Sequence, residues 1–180
     1  MKLFLDRFDS PLGQILLLSD GEHLCALDYA DYEDRMRTLL KRHYADCQLR
    51  ELIDPQGFSS LIRAYLAGDI ACINSIPVDP GGTPFQQRVW TALRAIPPGM
   101  SLTYGELASQ LGKPTAYRAV GMTNALNPIA IVIPCHRLVG ATGALTGYAG
   151  GLERKRWLLQ HEGVQVVNFT VFVPPPRVTS

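Results

Sequence analysis

The stretch from Thr83 to Pro128 is punctuated so closely that it leaves room only for three short helices. Thr83 is a helix N-cap, Pro84 takes the first helical position and Gln86 completes a T-x-x-Q capping box. Phe85, Val89, Trp90, Leu93 and Ile96 then fall on one face, and Pro97-Pro98-Gly99 ends the run. A second box, Thr103-x-x-Glu106, opens "TYGELASQLG", which stops at Gly112. After the turn at Lys113-Pro114, Thr115 starts a third helix that must close at Asn127, because a residue before proline avoids the α region. Helix, tight turn, helix is the pattern of the helix-turn-helix, but also of helical hairpins that bind nothing. The third helix carries small residues, Ala116, Ala119 and Gly121, that permit close approach of its backbone. Its one basic residue, Arg118, is either a solvated charge or a contact.

Beyond Pro128, residues 129–133 form a continuous, largely β-branched apolar run, which predicts a buried strand ended by Pro134. Cys135 and His136 follow where regular structure stops, a place suited to display rather than packing. A free thiol titrates near ~8.5 and needs a base or a positive neighbour to act as a nucleophile at neutral pH. Adjacent residues of an extended chain point to opposite faces, so His136 is expected to reach Cys135 through a water rather than directly. An imidazole base is usually oriented by a carboxylate. Residues 82–163 hold three acids. Glu106 belongs to a capping box and Glu153 opens the last helix. Glu162 sits in the final turn of that helix, where an anion opposes the dipole. Its partner is then a specific cation or imidazole, His136 or, less informatively, His161.

Charge divides the chain. Residues 1–81 hold eight Lys/Arg against thirteen Asp/Glu, whereas residues 82–163 hold eight against three. This asymmetry suggests two modules and a polyanionic partner for the second, or simply two halves that attract each other. The first half reads as a small α/β unit. "KLFLDRF", "GQILLLSD" and "HLCALDYA" predict a short antiparallel meander, residues 33–44 and 58–67 predict helices, and "CINSIPVDPGG" reads as a linker. Cys25 and Cys72 read as small buried hydrophobes, and Cys47 as a solvent-facing bystander. No cysteine spacing suits zinc, so no metal is expected. The early acids Asp6 and Asp9 argue against a signal peptide, and no run is long and apolar enough to span a bilayer, so the expected location is the cytoplasm with no membrane partner.

The stretches "TPFQQRVW", "TYGELASQLGKPTAYRAVG", "NPIAIVIPCHR", "TGYAGGLERKRWLL" and "HEG", with "SPLG" near the start, resemble the O6-alkylguanine-DNA alkyltransferase family, especially its stand-alone bacterial members. The resemblance spans residues 82–163 in the family's order. It implies an α/β N-terminal domain of ribonuclease-H-like shape over 1–81 and a mostly α C-terminal domain of winged-helix, helix-turn-helix-like type over 82–163. A tail of unknown role follows at 164–180. It also implies the reaction, an irreversible, single-turnover transfer of the alkyl group of O6-alkylguanine, and of O4-methylthymine, in double-stranded DNA to a protein thiol. No cofactor and no metal take part. By this resemblance Cys135 is the acceptor, His136 its base through water, Glu162 the group that orients His136, and Asn127 the hinge between recognition helix and reactive segment. Arg118 replaces the flipped nucleotide in the stack, and Thr115 and Ala119 share its DNA-facing helix. Tyr104 sits near the phosphate and guanine N3 and helps to rotate and protonate the base. Tyr148, Leu138 and Ala149 line the guanine pocket. A monomer is implied, with cooperativity on DNA left open.

The sequence departs from the family pattern in places. Leu138 stands where Val or Ile is commoner, Ala149 where some members carry Ser, and Ala125-Leu126 replaces a Gly-rich pair. Three other readings stay open at this stage. A non-catalytic lesion binder needs no acceptor thiol, a Cys-His-Glu hydrolase turns over repeatedly, and a plain helix-turn-helix regulator binds undamaged duplex.

Overall fold

The structure, a computed structural model, describes residues 1–172. Strands β1 (Lys2–Phe8), β2 (Ile15–Ser19) and β3 (Leu24–Tyr29) form the antiparallel meander. Helix α1 (Glu33–His43) follows, then β4 (Gln48–Glu51), which adds to β1 in parallel and completes the sheet in the order β3-β2-β1-β4. The sequence "QLRE" hides this edge strand because Leu49 is its one apolar residue, half-buried against the α1-side cluster, and the rest is held by backbone pairing. Helix α2 (Phe58–Leu66) covers the opposite sheet face from α1. All five residues of β2 are buried for this reason. Leu16 and Leu18 pack with Met36 and Leu40 of α1, while Ile15 and Leu17 pack with Phe58, Ile62 and Tyr65 of α2.

The second half contains α3 (Pro84–Ala95), β5 (Leu102–Thr103), α4 (Tyr104–Gln110), α5 (Tyr117–Ala125), β6 (Leu138–Val139) and α6 (Leu152–His161). Both capping boxes form, with Thr83 and Gln86, and Thr103 and Glu106, exchanging side-chain-to-backbone hydrogen bonds. Val89, Trp90 and Leu93 of α3 share one apolar core with Leu24 and Leu27 of β3 and Ile62 of α2, so the two halves are fused through their interiors. Ion pairs between oppositely charged side chains add little to that fusion. Among the described residues one ion pair, Arg154 with Asp31 at 2.9 Å, crosses between the acidic and basic halves. The excess cations of the second half are therefore not consumed by the acids of the first.

Four expectations need correction. Residues 129–133 are buried but are not a strand. Only Ile129 pairs, bridging Leu27 on the outer edge of β3. The chain then folds into two γ-turns, Val132 N–H to Ala130 O and Cys135 N–H to Ile133 O, both 2.8 Å, with Ile131 at φ 70°. A continuous apolar run signals burial but does not specify how its backbone is satisfied, and here the Asn127 side chain does part of that work (below). The third helix starts at Tyr117, not Thr115, because Pro114–Ala116 form a 3₁₀ turn. The "linker" is docked, with Leu24 N–H donating to Pro77 O and Asp79 N–H to Leu24 O. Cys72 and Cys47 are both half-buried rather than fully in or out.

The tail folds back as a hairpin, β7 (Val166–Val167) and β8 (Thr170–Val171). Its turn residues Asn168 and Phe169 both have positive φ, as a two-residue hairpin turn requires. Val171 seals a small apolar cluster with Val139, Leu145, Leu159 and Val164. The Pro174–Pro176 run, expected to be non-helical, lies outside the described residues.

Candidate active site

Cys135 opens a 3₁₀ turn, Cys135–Arg137, immediately after the second γ-turn. It is only 5% exposed, so the thiol is not displayed on the surface but set at the base of a cavity of about 390 Å³. Arg35, Tyr104, Gly121, Asn124, Tyr148 and Ala149 line that cavity. Burial pushes the Cys135 thiol above its ordinary range, while Asn127 as a hydrogen-bond partner and the charges of Lys155 and Arg35 pull the other way.

Asn127 explains how the reactive segment keeps its shape. Its Nδ2 donates to Ile133 O at 2.8 Å, and its Oδ1 accepts from Ile129 N–H at 2.9 Å. One buried amide thus replaces the pairing that a strand would have supplied. The neighbouring Asn124 donates to Cys135 O at 3.3 Å, and Arg35 donates to Ala125 O and Asn127 O at 2.6 and 3.1 Å while paired with Asp28 at 2.8 Å.

Behind the thiol lies a buried polar knot. Glu162 caps the C-terminus of α6, and its Oε1 accepts from Tyr65 at 2.6 Å, His136 Nε2 at 2.8 Å and Arg137 at 2.8 Å. Its Oε2 takes Arg137 Nε at 2.9 Å. Burial works against this carboxylate, yet His136 and Arg137 together hold it well below the usual carboxylate range. Burial likewise pushes the His136 imidazole below its ordinary value. With Arg137 supplying the countercharge, the consistent state is an ionised Glu162 and a neutral His136 that donates from Nε2. That leaves Nδ1 as the acceptor, and it is buried without a partner among the described residues. His161 bonds instead to Tyr65 O at 2.7 Å, so of the two imidazoles it is His136 that meets Glu162.

Lys155 is fully buried, and burial lowers its ammonium to about 8. It donates to Thr146 O at 2.8 Å and Gly147 O at 3.4 Å, pinning the loop that carries Tyr148 and Ala149. The Tyr104 hydroxyl reaches the same Thr146 O at 3.4 Å. Among the described residues no three His, Cys, Asp or Glu side chains gather closely enough to hold a metal ion.

The chain as a whole matches known proteins along most of its length. Residues 84–164 match the 6-O-methylguanine DNA methyltransferase, DNA binding domain, and residues 4–80 match the ribonuclease-like domain of the same enzyme. The chain belongs to the 6-O-methylguanine DNA methyltransferase family. It is 47% identical over 166 residues to the methylated-DNA–protein-cysteine methyltransferase of Salmonella typhimurium, covering 91% of this chain and 97% of that one. The Haemophilus influenzae protein of that name is 42% identical, covering 92% and 89%. In three dimensions the chain is similar to the Mycobacterium tuberculosis OGT in complex with DNA, with a TM-score of 0.73 and 39% identity over 90% of this chain and 92% of that one. Two domains follow, an N-terminal ribonuclease-like one and a C-terminal DNA-binding one, and the chain is a DNA-repair methyltransferase of this type.

The fold brings Cys135, Tyr104, Tyr148 and Ala149 to one cavity; Asn127 lies outside its lining as a hydrogen-bond partner of the Cys135 thiol, and His136 and Glu162 are joined to each other. Arg118, Thr115 and Ala119 are exposed on or beside α5, away from the cavity lining. Leu138 is not part of the lining. It is fully buried in β6, paired with Leu102, and its N–H is already given to Cys135 O. Sequence reasoning missed Arg137, Lys155, Arg35, Tyr65 and Tyr29. The first two stand inside motifs already singled out, "PCHR" and "LERKRW", and a cation within an apolar stretch is a readable signal. The other three lie in the first half and come to the site only through the fold.

Proposed function

We propose that Cys135 accepts the alkyl group of O6-alkylguanine, or of O4-methylthymine, in a base extruded from duplex DNA into the cavity. The observation that carries this reading is a buried thiol beside an imidazole whose free Nδ1 is the acceptor, with Glu162 and Arg137 fixing its tautomer. The thiol proton passes through a water to His136 Nδ1. The sulfur attacks the alkyl carbon, the carbon–O6 bond breaks and its electron pair returns to the purine, which takes up a proton. Tyr104 at the cavity wall is the donor in this reading. A thioether offers water no good leaving group, so each molecule reacts once.

Helices α4 and α5 are read as the helix-turn-helix of a winged-helix unit within residues 82–163. Arg118 fills the gap left by the extruded base, and Thr115 and Ala119 lie along the backbone. Extrusion costs a few kcal/mol, which a positive wedge helps to offset. The protein is read as a monomer, and the cytoplasm, which keeps thiols reduced, suits its acceptor.

The test is mass spectrometry after incubation with duplex DNA carrying O6-methylguanine. The expected result is one methyl per chain, on Cys135. Label on Cys25, Cys47 or Cys72, or repeated turnover, would overturn the reading.

A further inference from the structure

Tyr148 forms a wall of the reactive cavity, but its hydroxyl is held from the other domain. Tyr29, the last residue of β3, is fully buried, and its hydroxyl oxygen lies 2.8 Å from that of Tyr148. The two rings meet edge to face, with centroids 6.3 Å apart at 68°. Arg154 lies 4.2 Å over the Tyr29 ring and donates to Leu12 O and Gly150 O, bracing the pair from behind. The path of the loop is cut to this ring. A Cβ at Gly150 would stand 2.4 Å from Tyr29 Cε2, so no larger residue fits beside it.

The two hydroxyls share one hydrogen bond, in which either can be the donor, and neither has another side-chain partner among the described residues. Burial pushes both phenols up, so both keep their protons.

We propose that Tyr29 is a positioning residue for alkyl transfer: through the hydroxyl pair and the edge-to-face ring contact it fixes the Tyr148 ring as the wall against which the base rests. Tyr29 does not line the cavity and acts wholly through Tyr148. The inference rests on the alkyl-transfer reading of the site.

The experiment follows alkylation of Cys135 by free O6-benzylguanine, which needs no DNA, in the full chain and in Tyr29→Phe, Tyr148→Phe and the double variant. Phe keeps both rings and removes only hydroxyls, and a thermal melt establishes that each variant is folded. Tyr29→Phe is expected to slow the reaction about fivefold, the equivalent of one ordinary hydrogen bond, with affinity for undamaged duplex unchanged. The double variant is expected to be no slower than Tyr148→Phe alone. Should a folded Tyr29→Phe react as fast as the unaltered protein, or should the two losses add independently, the positioning role is wrong. If Tyr29→Phe does not fold, Tyr148→Phe decides alone, and unchanged speed there ends the proposal. An unaltered protein that never gains the benzyl mass sinks the alkyl-transfer reading itself, and this inference with it.

Discussion

The reactive segment and the third helix of the DNA-binding domain are neighbours in sequence and opposites in construction. From Asn127 to Arg137 every residue is buried, and the polar side chains are tied to named partners: Asn127 to two backbone groups, His136 to Glu162, Arg137 to Glu162 and Ile96. On α5, Tyr117, Arg118, Ala119 and Met122 are exposed, and Arg118 has no carboxylate partner among the described residues. The difference follows from what each region must do. Chemistry on a weakly nucleophilic thiol needs a fixed, water-poor geometry, so its groups are committed in advance. Under the proposed function, recognition of a polyanion needs a cation still free to pair, and Arg118 is uncommitted.

The contrast can be broken at its buried end first. Cys135→Ala is expected to abolish alkyl transfer, read by mass spectrometry, while duplex binding, read by fluorescence anisotropy, stays within about twofold, since replacing a buried thiol by a methyl leaves the exposed Arg118 of α5 unaltered. Glu162→Ala leaves Arg137 and Tyr65 buried without their acceptor and His136 without its orienting partner. The expected loss is about 3–5 kcal/mol in urea unfolding, with alkylation slowed as well. A Glu162→Ala protein as stable as the original would show that the knot is not a structural necessity.

The exposed end is expected to behave differently. Arg118→Ala should slow repair of O6-methylguanine in duplex at least about tenfold, yet leave reaction with free O6-benzylguanine and the urea midpoint unchanged. Equal loss on both substrates would place Arg118 in the chemistry rather than in base extrusion.

The smallest effect is the dependence on pH. His136 is held below its ordinary value of 6.5, and Glu162 below 4.5. Both therefore bind protons more readily in the unfolded chain. Their stabilising contribution is complete above about pH 6.5 and falls as pH drops, first through the histidine window and then further below about 4.5. Urea midpoints measured from pH 8 to 4 should decline in that order. The acid limb of the alkylation rate should lie below 6.5, because the neutral imidazole persists there. An acid limb at or above 6.5 would contradict a neutral, buried His136.

Much of this was legible in the residues. The two capping boxes predicted helix starts at Pro84 and Tyr104, and both are observed. Glu162, an acid at the unfavourable end of a helix, pointed to a specific partner, and the expected pairing with His136 is present at 2.8 Å. The errors have one cause. The run 129–133 was read as a strand because apolar continuity reports burial, whereas strand character depends on who pairs with the backbone, and that partner is the Asn127 amide. Cys135 was read as displayed because Pro134 ends pairing, but the surrounding loop and the first domain close over it. Likewise β4 was invisible because an edge strand with one apolar residue, Leu49, carries no readable alternation.

What the sequence determined by itself is local: where helices start and stop, which stretch is buried, and which thiol, imidazole and carboxylate are available. What only the tertiary structure decided is which distant groups share those residues. Tyr29, Arg35 and Tyr65 lie between 97 and 119 positions from partners such as Tyr148 and Glu162, or 90 and 92 positions from the carbonyls of Ala125 and Asn127. No local periodicity encodes such a contact. It exists because the outer edge of β3 accepts both the linker and the reactive segment, which sets the first domain against the back of the cavity.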